Sequence, residues 1–181
     1  MPPQATVQPS LRALSGPVSS SAVAVSPNGR LVAAVNPDSG TVTLVDAESL
    51  EIIREVAVGD DPRTLVFTPD SKLVLVTNRQ SSSLAILEAN DTGRVSHVPT
   101  GPMPYGVVTD GKFAFVSEYA LGNIAVIDLG GQTPVRRVAV GPYPSGLAIN
   151  PPPDGGAKLL VSHFSAGRLL RSTPVLSRLP G

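Results

Sequence analysis

Short apolar segments, most of them alternating with polar residues, are separated by short polar turns along most of the chain. The same order of segments recurs four times, and each unit is closed by a glycine, at Gly59, Gly101, Gly141 and Gly181. These glycines lie roughly 40 residues apart. The apolar segments lack a helical period, and most connections are too short to hold a helix. The pattern therefore predicts tandem units of four β-strands joined by tight turns.

The predicted strands occupy matching places in each unit. The first strands are predicted at 22–25, 65–67, 107–108 and 147–149, and the second strands at 31–35, 73–77, 113–117 and 159–162. The third strands are predicted at 41–46, 83–88 and 123–128, and the fourth strands at 52–58, 94–99 and 135–140. Asn28-Gly29 and Asp110-Gly111 join first strands to second strands, and such pairs favour a type I′ turn with positive φ at both central residues. The last unit has an insertion at 151–157 and a weak third strand at 168–171, so we expect it to be eroded or cut short.

Four-stranded units in tandem are the architecture of β-propeller blades. The sequence thus predicts an all-β fold, a β-propeller of about four four-stranded blades. The blades are predicted at 16–59, 60–101, 102–141 and 142–181, the last of them degenerate, after a flexible N-terminal segment at 1–15. Each blade needs a neighbour to bury its apolar faces.

Composition excludes several classes of function. Lys plus Arg and Asp plus Glu balance at 14 each, and no basic run occurs, so nucleic-acid binding is not expected. The absence of cysteine excludes disulfides, thiolate metal sites and a cysteine nucleophile. No apolar run is long enough for a membrane span, and no signal peptide is visible in this chain. The sequence predicts no catalytic residue, no metal and no cofactor.

The run from Leu73 to Asn78, Leu-Val-Leu-Val-Thr-Asn, resembles the motif that names the YVTN β-propeller repeats. The stretch from Ser26 to Asp46 resembles the rest of that repeat. The resemblance implies a relationship to seven-bladed propellers of surface-layer, lactonase-like and cytochrome-associated proteins, and a periplasmic or cell-surface location. Because such propellers usually have seven blades, it also implies a partial, open propeller here. A closed ring of four blades is the alternative.

Candidate binding residues lie in the loops between strands four and one and in the turns between strands two and three, which emerge on the same face of a propeller. The candidate ligand-binding residues are Asp61, Arg63, Asn78, Arg79, Tyr105, Glu118, Tyr119, Tyr143 and His163. All three tyrosines of the chain are among them, and tyrosine in loops supplies rigid amphipathic contact area. The alternative is that the Pro-Tyr pairs pack the joints between blades. Asp46, Glu88 and Asp128 recur where third strands end, which indicates a structural role in capping turn amides.

The repeat and the lack of a recognisable set of catalytic residues favour a non-catalytic binding or scaffold module in the cell envelope. Its partner would be a protein or a small molecule of unknown identity, and self-association through the open blade edges is expected. The alternative is the propeller part of an enzyme, either a lactonase-like hydrolase or a haem- or quinone-linked oxidoreductase subunit. A structural role in a cell-surface layer is a further alternative.

Overall fold

The computed structural model describes residues 18–89, 93–150 and 158–164. All regular elements in these ranges are β-strands, fifteen in number, and this part of the chain contains no helix that could cross a membrane. The strands form three four-stranded sheets and one three-stranded sheet, all antiparallel, each corresponding to one blade. The all-β propeller fold is therefore confirmed.

The strands follow one another in the sequence order expected for blades. Blade 1 contains β2 (Val23–Val25), β3 (Leu31–Asn36), β4 (Thr41–Asp46) and β5 (Ile52–Ala57). Blade 2 contains β6 (Pro62–Phe67), β7 (Leu73–Asn78), β8 (Ser83–Glu88) and β9 (Val95–Pro99). Blade 3 contains β10 (Pro104–Thr109), β11 (Phe113–Glu118), β12 (Asn123–Asp128) and β13 (Thr133–Ala139). Blade 4 contains β14 (Pro144–Asn150) and β15 (Lys158–His163), which are joined by β1 (Val18–Ser19).

Three apolar clusters fill the joints between consecutive blades. Side chains of blades 1 and 2 form the first, those of blades 2 and 3 the second, and those of blades 3 and 4 the third. The two middle blades are buried on both faces, so their central strands are almost continuously apolar. Burying one Val, Leu, Ile or Phe side chain contributes about 1.5–3 kcal/mol. The joints between blades are therefore the main source of stability.

Within the described residues, no neighbouring blade packs on the outer faces of the two end blades. Val23 and Val25 of blade 1 are 53% and 47% exposed, and Leu160 of blade 4 is 48% exposed. The described structure is thus an arc of blades and not a closed four-bladed ring. The predicted insertion at 151–157, the weak strand at 168–171 and the N-terminal segment at 1–15 lie outside the described residues.

The hairpins form where the sequence predicts them, but the predicted type I′ turn is wrong. Gly29 and Gly111 have φ of +73° and +95°, whereas Asn28 and Asp110 have negative φ. Gly29 N donates to Ser26 O, so Pro27 and Asn28 form the centre of a four-residue turn that is followed by a left-handed residue. Proline at the first central position presets the φ that this turn needs.

The carboxylates at the ends of third strands cap turns, as predicted, for Asp46 and Asp128. Asp46 Oδ1 accepts hydrogen bonds from the backbone amides of Ser49 and Glu48 at 2.8 and 3.0 Å. These bonds stabilise the charged carboxylate and lower the pKa of Asp46 below its usual value. Asp128 accepts from the amides of Gly130 and Gly131 in the same way.

Candidate functional site

Three loops at one end of the blades share an unusual backbone conformation. Asp61, Met103 and Tyr143 each directly precede a proline and have φ of +56°, +56° and +55°. The left-handed region costs roughly 1–2 kcal/mol for a residue with a side chain. The carbonyl groups of the three residues accept hydrogen bonds from Arg79 N, Tyr119 N and Phe164 N, respectively, at 2.9–3.1 Å. Each bond joins a loop before a first strand to the turn after a second strand, so side chains from both segments lie together.

In blade 2 this arrangement assembles a charged cluster from three of the predicted residues. Arg63 Nε lies 2.9 Å from Asp61 Oδ1, and Arg63 Nη2 donates to Asp61 Oδ2 at 3.0 Å. Arg79 Nη1 lies 3.8 Å from the same carboxylate. Two guanidinium groups thus share one carboxylate, which leaves some of their N–H donors unused. A cavity of about 490 Å³ opens beside the cluster, and its lining includes two further carboxylates, Asp60 of the same loop and Asp38 of blade 1.

Three of the corresponding positions in blades 3 and 4 carry tyrosines: two in blade 3 and one in blade 4. The Tyr105 and Tyr119 ring centroids lie 6.5 Å apart, and those of Tyr119 and Tyr143 lie 5.2 Å apart. The rings are tilted by 35° and 39°, within the range of favourable aromatic pairs. All three tyrosines of the chain therefore form a single row, and Tyr143, at its end, is about half exposed.

The charged cluster and the tyrosine row occupy corresponding positions of consecutive blades. Arg63 of β6 and Tyr105 of β10 each follow the first proline of their strand, and Thr64 Oγ1, next to Arg63, donates to the backbone carbonyl of Tyr105 at 2.6 Å. We call the combined surface the arginine–tyrosine strip, and it comprises Arg63, Arg79, Tyr105, Tyr119 and Tyr143. It offers cationic donors at one end and flat aromatic surface at the other.

Asn78 and Glu118 lie beneath the face and are fully buried. Asn78 Nδ2 donates to Val58 O at 2.6 Å, next to the closing Gly59 of blade 1. Glu118 Oε1 accepts from the amide of Gly101, the closing glycine of blade 2, at 2.7 Å, and both of its oxygens accept from Arg137 Nε. Both side chains therefore hold in place the segment around the closing glycine of the preceding blade. Sequence reasoning missed Arg137, because nothing in the local pattern of β13 relates it to Glu118.

His163 occupies the corresponding position in blade 4 and is partly exposed. Its Nδ1 lies 2.8 Å from the carbonyl of Pro142. A carbonyl only accepts, so Nδ1 carries a proton, and in the neutral ring Nε2 then has the lone pair. This tautomer is the one in which a histidine can act as a base or as a metal ligand through Nε2. Within the described residues, no three His, Asp or Glu side chains converge as a metal site.

The sequence matches a family model for β-propellers. The match covers residues 3–100 and has the description "Lactonase, 7-bladed beta-propeller". The chain belongs to this family. The finer assignment of the repeats to the YVTN type stays a prediction.

Proteins similar to this member of the lactonase propeller family have names that denote enzymes. Dihydro-heme d1 dehydrogenase of Pseudomonas aeruginosa is 39% identical over 74 residues, which are 41% of this chain and 15% of that protein. Hydrazine synthase of Kuenenia stuttgartiensis superposes with a TM-score of 0.66 at 25% identity, covering 82% of this chain and 47% of that chain. Dihydro-heme d1 dehydrogenase NirN in complex with DHE gives a TM-score of 0.60 at 23% identity, covering 87% of this chain and 37% of that chain. The chain thus spans under half the length of each of these proteins.

These similarities correct the function predicted from the sequence. The prediction of a non-catalytic binding or scaffold module is wrong, because the matching family is described as a lactonase family and the relative that is 39% identical is named as a dehydrogenase. They agree better with the alternative, the propeller part of an enzyme. The residue pattern led to the error because a propeller places few chemically distinctive residues at fixed spacings along its sequence.

Proposed function

We propose that this chain forms propeller blades of an oxidoreductase that acts on a haem-derived tetrapyrrole, and that the arginine–tyrosine strip binds this molecule. The observation that carries the proposal is the strip itself, in which two guanidinium groups of blade 2 and a row of three aromatic rings from blades 3 and 4 occupy corresponding loop positions. A tetrapyrrole with carboxylate side groups combines a flat conjugated ring with negative charge. The identity to dihydro-heme d1 dehydrogenase supports the same ligand class.

The residues present fit such a group. Arg63 and Arg79 would hold its carboxylates, since a guanidinium binds a carboxylate through two parallel hydrogen bonds. The tyrosine row would contact the face of the ring and exclude water from it. Nε2 of His163 is the nearby lone pair that a metal at the ring centre would accept. When bound, the tetrapyrrole would supply the redox chemistry, and these side chains would supply binding and orientation.

We further propose a periplasmic or cell-surface location for the protein and assign its repeats to the YVTN type. Both proposals rest on the resemblance of the strand motifs, such as Leu73 to Asn78, to those repeats. Fractionation of cells that express the native gene would test the location.

The binding proposal is testable with the chain's own fluorescence. The chain has three tyrosines and no tryptophan, and all three lie in the strip, so intrinsic emission reports on this site alone. We expect ferric protohaem and metal-free protoporphyrin to quench this emission and to change their own absorbance with the same dissociation constant. The double variant Arg63→Gln/Arg79→Gln should weaken binding by roughly tenfold or more, since hydrogen bonds to charged groups contribute about 1.5–3 kcal/mol.

Arg136→Gln is the matched control, because Arg136 is an exposed arginine of β13 outside the strip and its loss should leave affinity unchanged. Equal weakening by the control and the double variant, or no quenching, would contradict the proposal. The family description makes lactone hydrolysis the competing function, with His163 as the available base. Lactone hydrolysis that is lost in His163→Ala, without tetrapyrrole binding, would favour that function instead.

A further inference from the structure

Asp61 contacts both arginines of the charged cluster, through its side chain and through its backbone. Its carboxylate lies 2.9 Å from Arg63 Nε and 3.8 Å from Arg79 Nη1, and it accepts a hydrogen bond from Arg63 Nη2 at 3.0 Å. Its carbonyl accepts the hydrogen bond of Arg79 N at 2.9 Å. The Asp61 side chain is only 11% exposed, whereas each arginine side chain is 36% exposed. Asp61 is therefore largely covered and has little surface left to contact a ligand.

The left-handed backbone at this position does not itself require an aspartate. Met103 and Tyr143 adopt nearly the same φ at the corresponding positions of blades 3 and 4. Their carbonyls also accept a hydrogen bond from the turn after the second strand. The fold thus determines the backbone conformation in all three loops, and of these loops only that of blade 2 places a carboxylate between two arginines. The role of this carboxylate therefore lies in its contacts with the arginines.

The charges around the cavity show why the positions of the arginines matter. Asp38 and Asp60 line the cavity together with Asp61, so three carboxylates accompany the two guanidinium groups. The lining is therefore not positive as a whole, and its net charge would not attract a ligand carboxylate. The attraction has to come from guanidinium N–H donors that are held at fixed positions. The donors that Asp61 leaves unused are available for this purpose.

We propose that Asp61 is a positioning residue, which orders Arg63 and Arg79 before the ligand binds and does not bind the ligand itself. This inference rests on the proposed function, in which these two arginines hold the carboxylates of a tetrapyrrole. Ordering a long side chain during binding costs about two- to tenfold in affinity, and a side chain that is already ordered avoids this cost. Loss of the Asp61 carboxylate would also make the site more positive by one charge, which by itself would strengthen the binding of an anion. Positioning and simple charge therefore predict opposite changes in affinity.

Asp61→Gly separates the two effects, because glycine accepts the left-handed backbone and removes the carboxylate. We expect its dissociation constant for metal-free protoporphyrin, measured by tyrosine emission, to rise roughly fivefold or more in spite of the added positive charge. Its melting temperature should change by only about a few degrees, since partly exposed ion pairs contribute little to stability.

Leu50→Gly is the matched control, because Leu50 also has a positive φ, of +61°, and is 74% exposed. It lies in the turn between β4 and β5, at the other end of the blades, since successive turns of a blade alternate between its ends. Its affinity for protoporphyrin should equal that of the unchanged chain.

The Nε–H nuclear magnetic resonance signals of the arginines test the positioning without any ligand. Arg63 Nε is buried, so we expect its proton to exchange with water more slowly than that of the exposed Arg136. In Asp61→Gly the two protons should exchange at similar rates. Absence of porphyrin binding by the unchanged chain would refute the proposed function, and these signals would still decide the role of Asp61.

Three results would overturn the inference. They are an unaltered Arg63 signal in Asp61→Gly, a protoporphyrin affinity of Asp61→Gly that is unchanged or higher, and equal weakening of binding in Leu50→Gly.

Discussion

Glu118 combines burial with charge at the joint between blades 2 and 3. Its carboxylate accepts the Gly101 amide hydrogen at 2.7 Å and pairs with Arg137 Nε at 3.0 Å. Arg137 is about half exposed, so solvent screens this ion pair and most of the stabilisation comes from the bond to the backbone. The position of Glu118 within the repeat predicts that it lies at a turn. It does not predict that the side chain is buried beneath the loops of the candidate site.

Replacing Glu118 should show this structural role. Glu118→Ala leaves the Gly101 amide without its acceptor, and we expect a loss of about 2–3 kcal/mol in the free energy of unfolding. Glu118→Gln keeps an acceptor oxygen and should cost about 1 kcal/mol. Urea denaturation measures both, with Glu48→Ala on an exposed turn as the control that should change little. A Glu118→Ala chain as stable as the control would refute a structural role.

At the scale of elements, local pattern predicted most strands. The third strands β4, β8 and β12 match their predicted ranges, because alternation and flanking turns define them. The first strands β6, β10 and β14 begin three residues earlier than predicted, at Pro62, Pro104 and Pro144. Each of them has a bulge after its proline, and an apolar pattern cannot reveal pairing across a bulge.

The pairing of β1 with β14 joins residues more than a hundred positions apart, so no local signal predicted it. Ser20 extends the pairing, because its N donates to Leu147 O at 2.9 Å and its Oγ accepts from Leu147 N at 3.0 Å. The next residue, Ser21, accepts the amide hydrogen of Leu65 in blade 2 through its carbonyl. The segment therefore links the inner strands of blades 4 and 2. A Cβ on Gly106 would lie 2.4 Å from the backbone oxygen of Ser145 and 3.1 Å from Ser20 Oγ, so this glycine makes room first for the backbone of blade 4 and then for the segment.

Ser20→Ala removes the acceptor of the buried Leu147 amide. We expect this change to lower the free energy of unfolding by about 1 kcal/mol and to speed hydrogen exchange at Leu147. Ser21→Ala is the control, because the Ser21 hydroxyl only accepts a 3.3 Å bond from Val23 N at an exposed site. Equal effects of the two substitutions on Leu147 exchange would show that β1 does not hold blade 4.

At the scale of the whole molecule, the candidate site depends on distances that the sequence does not contain. The repeat register placed Asp61, Arg63, Arg79 and the tyrosines at loop positions of one face. It could not show that Asp61 binds both arginines, nor that rings from blades 3 and 4 stack in one row. Contacts between blades determine these features, and the residue pattern within one blade does not predict its contacts with the next blade.

The same contacts predict how stability is distributed along the arc. A blade in a repeat protein is stabilised mainly by its neighbours, so blades 2 and 3, with two joints each, should open less often than blades 1 and 4. We expect amides of β7, β8, β11 and β12 to exchange at least tenfold more slowly than those of β3 and β15, measured by hydrogen exchange at low protein concentration. Uniform exchange rates across these strands would mean that the blades unfold as one unit and that the joints do not set their order.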